Sequence, residues 1–85
     1  MDDLMIESEA DSLREFLMSF IVEVEQENDG RWIAEVLELP GVLAYGETAG
    51  AARARVQALA LGVVAERVEH GEIAPDLVSV SFAAA

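Results

Sequence analysis

An α+β fold is predicted, two-layered and ordered β-β-β-α-β, with one helix packed on a small antiparallel sheet. Three observations predict it. Two stretches of alternating apolar residues flank an Asn-Asp-Gly turn, a long alanine-rich stretch carries helix signals at both ends, and a closing stretch repeats with period two. The chain has 85 residues, which suits one domain, and 53% of them are hydrophobic, which excludes a fully disordered chain. A core of this size is marginal on its own, so a homodimer or higher homo-oligomer is expected.

Residues 1–17 read as an N-terminal extension, either a short helix or disordered, and residues 18–85 as the folded domain. The extension is acidic, with Asp2, Asp3, Glu7, Glu9, Asp11 and Glu15. Ser12 and Glu15 have capping-box spacing, and Leu13, Phe16 and Leu17 could form the apolar side of a short helix. A frayed chain end fits the same residues, and Met18 could serve as an alternative start.

Phe20, Val22 and Val24 alternate with Ile21, Glu23 and Glu25, the pattern of a half-buried strand. Asn28-Asp29-Gly30 is a turn in which glycine supplies the positive φ. Trp32, Ala34 and Val36 then alternate with Ile33, Glu35 and Leu37, completing a hairpin, and Pro40-Gly41 breaks the second strand. Val42 to Tyr45 is a short third strand, ended by Gly46. Thr48 is a favourable N-cap for a helix from about Ala49 to Glu69, and Gly71 is a natural terminator. Pro75-Asp76 marks a turn, and Leu77 to Phe82 is the last strand.

Two surfaces exceed what one core needs. On the helix, Ala52, Val56, Leu59 and Val63 fall at core spacing, and Ala54, Ala58, Leu61, Ala65 and Val68 form a second apolar line. Ala58, Leu61 and Ala65 are the candidates for self-association, although exposed alanine is also simply a good helix former. On the second strand, Ile33, Leu37 and Leu39 are expected opposite Trp32 and Val36. They form either an apolar contact surface or a seat for the N-terminal segment.

Charge narrows the partners. The formal net charge is −12, from 17 acidic residues against five basic ones, all arginine. Such a chain repels a phosphate backbone, so direct nucleic-acid binding is not expected, whereas a basic protein would be attracted. An acidic surface also keeps small proteins soluble without any partner. There is no cysteine, which removes disulfides, thiolate metal sites and a cysteine nucleophile. The acidic start is unlike a signal peptide and no apolar run approaches a membrane span, so a cytoplasmic location is expected and no membrane contact.

Catalytic chemistry is hard to find. Glu23, Glu25 and Glu27 share one side of the first strand, with Glu35 expected across from them. Carboxylates so placed can bind a divalent cation or move protons, and equally they form an ordinary solvent face. His70, the single histidine, falls at the helix end, where it complements the helix dipole. No serine sits in a nucleophile motif, and Gly41 and Gly46 lack the neighbours of a phosphate loop, which leaves them turn geometry. No enzyme, cofactor, metal site or catalytic residue is expected.

Phe20-Ile21-Val22-Glu23-Val24-Glu25, Asn28-Asp29-Gly30-Arg31-Trp32-Ile33-Ala34-Glu35-Val36, Leu39-Pro40-Gly41 and Gly46-Glu47-Thr48 together resemble the HicB-like antitoxin family. The resemblance runs from about Met18 to Phe82 and rests on the order and spacing of these pieces. It implies a β-β-β-α-β domain of degenerate ribonuclease H-like fold that self-associates. It also implies an antitoxin that masks the active surface of a small basic HicA-like mRNA-cleaving toxin. Leu37 and Glu38 stand where the family usually has proline and aspartate, and Ala49-Gly50-Ala51 opens a helix that is commonly acidic there. The chain ends at Ala85 without the DNA-binding domain that many members append, so operator binding is not expected of it. Glu23, Glu25, Glu27 and Glu35 are the expected electrostatic contacts to the toxin, and Ile33, Leu37 and Leu39 the apolar ones. The alternative is a homo-oligomeric structural or regulatory domain without a toxin partner, and a third possibility is a metal-dependent nuclease relic using the strand glutamates.

Overall fold

The computed structural model describes residues 17–73 and 78–85. The extension expected at 1–17 lies outside them except for Leu17, which opens the first strand, and the turn at Pro75-Asp76 and the start of the last strand at Leu77 also lie outside. The elements are β1 (Leu17–Gln26), β2 (Trp32–Val36), β3 (Leu43–Gly46), α1 (Ala49–Glu69) and β4 (Ser79–Ala84), the order the sequence predicts.

The four strands form one sheet in the order β3-β2-β1-β4. Neighbours among β1, β2 and β3 are antiparallel, but β4 pairs parallel to β1, so the sheet is mixed and not antiparallel as expected. The reason is directional. β3 runs with β1, α1 returns the chain, and a strand that follows the return must again run with β1. Alternation in sequence reports which face a side chain takes and nothing of strand direction.

Turn chemistry fixes the register. Gly30 has φ 92°, its N–H donates to the Glu27 carbonyl, and the Glu27 N–H donates to the Arg31 carbonyl at 2.7 Å. This is a tight hairpin loop that needs a left-handed residue at its end. Val42 N–H donates to Leu39 carbonyl across Pro40 and Gly41, and Gly41 has φ 85°, the conformation a type II turn demands of its third residue. Beyond the end of β2, the Ile21 N–H would face no strand. The Glu38 carboxylate accepts it, with its nearer oxygen at 2.9 Å.

The helix is capped at both ends. The Thr48 hydroxyl accepts the Ala51 N–H at 3.0 Å. At the far end Gly71 (φ 76°) donates to Val68 carbonyl and Glu72 to Arg67 carbonyl, the paired bonds of a Schellman motif.

One face of α1 lies on the sheet through Ala52, Val56, Ala60 and Val64, which meet Phe20 and Val22 of β1 and Ala34 and Val36 of β2. This corrects the expected phase: Leu59 is 51% exposed and Val63 only half-buried, while Ala60 and Val64 close the core. The alanines let the helix backbone approach the sheet where leucine would hold it off. Gly46 shows how close the approach is. A Cβ there would run into the main-chain nitrogen of Ala52 and stand 2.9 Å from the Ala51 carbonyl carbon. Gly46 has no positive φ, so turn geometry is not its role. It is required by the contact between the end of β3 and the first turn of α1.

Candidate protein-binding face

The face of the sheet turned away from α1 is the candidate site. Residues in register share a face, so β1 contributes Ile21, Glu23 and Glu25, β2 contributes Ile33 and Glu35, and β3 contributes Leu43 and Tyr45. Glu23 stands directly across from Glu35, Glu25 across from Ile33, and Ile33 across from Tyr45. Ile21, Leu43 and Tyr45 are each 37–40% exposed, large side chains that no described element covers.

The predicted contact residues fare differently. Glu23, Glu25 and Glu35 lie together on this face and Ile33 sits half-buried among them. Glu27 falls just past the end of β1, half-buried at the hairpin turn. Leu37 is on the turn that follows β2 and is 47% exposed. Leu39 is not on this face at all. It is buried in the helix-side core, because β2 stops at Val36 and the turn reverses the alternation that would have pointed it outward. Ile21, Leu43 and Tyr45 also lie on this face and are not among the predicted contact residues. The alternation of Leu43 and Tyr45 about Ala44 was the signal that could have found them.

Among the described residues, Arg31 is the cation beside this surface, and its charge is paired. The Arg31 guanidinium lies 4.5 Å from the centre of the Tyr45 ring, and its Nε donates to the Asp29 carboxylate at 2.7 Å. The Arg31 main-chain N–H also donates to Asp29, at 3.0 Å. That bond first, and the guanidinium second, hold the Asp29 carboxyl below its ordinary pKa. Among the described residues, the strand glutamates receive no such partner. Two like charges directly opposite on adjacent strands work against folding by roughly 0.2–1 kcal/mol.

Other chemistry is sparse. Among the described residues, no three His, Asp or Glu side chains come together in a way that could hold a metal ion. His70 is the C-cap of α1, its N–H donating to Glu66 carbonyl. Ser19 and Ser81 bridge β1 and β4 through their hydroxyls at 3.2 Å. No described helix is long and apolar enough to cross a membrane. The proposed self-association line on α1 is open to solvent: Ala58 and Ala65 are exposed, and Leu61 is 47% exposed.

Compared with known protein families, curated proteins and solved structures, the chain has no significant match in any of the three.

Proposed function

We propose that this chain is an antitoxin-type binding module whose open sheet face masks the active surface of a small basic HicA-like mRNA interferase toxin. The activity is binding, not catalysis, and it uses no cofactor. The observation that supports it is the make-up of that face. Ile21, Ile33, Leu43 and Tyr45 form an apolar centre, and Glu23, Glu25 and Glu35 stand beside it without cationic partners among the described residues. An apolar patch rimmed by charge of one sign fits a protein partner of the opposite sign. A basic toxin would supply the missing cations to Glu23 and Glu35, so binding would relieve a repulsion that folding creates.

The test is co-expression with the product of the neighbouring gene, followed by co-purification and growth rescue. A short basic neighbour should co-purify and its toxicity should be suppressed. The double variant Glu23→Lys/Glu35→Lys should weaken the complex at least tenfold while keeping the fold. A complex indifferent to that charge reversal, or the absence of any basic partner, rejects the reading. In the latter case a homo-oligomeric regulatory or structural domain without a toxin remains.

A further inference from the structure

The sheet has two edges, and they are built differently. On β3, the Val36 N–H donates to the Val42 carbonyl. The alternation of an antiparallel ladder therefore turns Ala44 and Gly46 toward β2 and the main-chain groups of Leu43 and Tyr45 outward. That edge is only four residues long, and the Arg55 guanidinium covers it by donating to the Tyr45 carbonyl at 2.7 Å. A short edge closed by a charged side chain is protected against pairing.

Among the described residues, β4 has none of this protection. It is six residues long and pairs with β1 along its whole length. The Ala85 N–H donates to the Val22 carbonyl, so the parallel ladder takes the main-chain groups of Ser79, Ser81 and Ala83 and leaves those of Val80, Phe82 and Ala84 pointing outward. No charge and no proline interrupts residues 79–84, and among the described residues no side chain hydrogen-bonds to the outward groups.

We infer that β4 is a self-pairing edge, joining two copies of this chain antiparallel into one continuous sheet. The occupant follows from charge. A chain of net charge −12 repels its own copy wherever glutamates crowd, and β4 is an uncharged strand on which two copies can meet. A two-fold axis at Phe82 would set the outward groups of Val80, Phe82 and Ala84 against the same three residues of the second copy, an isologous contact. Both open sheet faces stay free, so this inference stands apart from the toxin-binding proposal. It also moves self-association away from the Ala58, Leu61 and Ala65 line.

The experiment is sedimentation of the full chain with amide hydrogen exchange. The unmodified chain should sediment at twice 9.1 kDa, with the amides of Val80, Phe82 and Ala84 protected as well as those between them. Ala84→Pro removes one outward N–H and no β1 bond, and should sediment as a monomer with those amides exchanging freely. Leu61→Glu should remain a dimer. A monomeric unmodified chain, a dimer whose Val80, Phe82 and Ala84 amides exchange freely, or a dimer broken by Leu61→Glu but not by Ala84→Pro overturns the inference.

Discussion

The two faces of the sheet are made from the same strands and do opposite things. Under α1, Phe20, Val22, Ala34 and Val36 are almost completely buried against a row of alanine and valine. On the other side, larger side chains such as Tyr45 and Leu43 keep more than a third of their surface in water, and Glu23 opposes Glu35. The covered face therefore carries the stability. The open face carries exposed apolar side chains and opposed carboxylates that add little to stability, which is what the proposed recognition role builds on. Substitutions on the two faces should separate accordingly.

The largest expected difference is between adjacent residues of β1. Phe20 is buried with its ring centroid 5.7 Å from that of Phe82, so Phe20→Ala should lose about 3–5 kcal/mol, a large share of what a small domain has. Ile21→Ala, one position along and on the open face, should lose less than half as much. Urea denaturation of both variants measures this, and equal losses would erase the distinction between the faces. Gly46→Ala ranks next. Its new methyl group has no room against the first turn of α1, and overpacking of this kind removes about 1–3 kcal/mol. A Gly46→Ala variant as stable as the original would mean that β3 and α1 are not held as closely as described.

Much of this arrangement was legible in the sequence. The Asn28-Asp29-Gly30 and Leu39-Pro40-Gly41 turns, the Thr48 cap and the Gly71 terminator are local chemistry, and each appears where the residues place it. What was not legible is what depends on distant neighbours. The phase of α1 is hard to read because alanine lies on several sides of the helix, and spacing alone favours Leu59 where Ala60 fits the close approach. Alternation carried past Val36 points Leu39 outward, and the turn cancels it. The parallel pairing of β4 with β1 has no local signal. On the candidate face, the glutamates were readable from strand period, but Leu43 and Tyr45 join them only through the β2–β3 register.

A smaller effect tests whether recognition opposes stability. Glu35→Gln removes one of two carboxylates facing each other across β1 and β2. It should raise the urea midpoint by an amount worth a few tenths of a kcal/mol, up to about 1. The same change should weaken association with a basic partner and flatten its salt dependence. A variant that gains stability without losing affinity would detach Glu35 from the binding surface.

The smallest effect concerns the hairpin that supports the open face. The Asp29 carboxyl is held below its ordinary pKa, first by the Arg31 main-chain N–H and then by the Arg31 guanidinium. A carboxylate with a depressed folded-state pKa adds stability that is present above its unfolded value, about 3.9, and disappears as pH falls through the folded one. Asp29→Asn should therefore be the less stable protein near neutrality, and the gap should close in acid. Because Asp29 and Arg31 are both exposed, solvent and salt screen the pair and the gap should be small. Comparing urea midpoints of the two proteins from pH 7 down to pH 3 reads the trend directly. A gap that widens in acid would show that the Asp29–Arg31 contact does not hold Arg31 against Tyr45 through its charge.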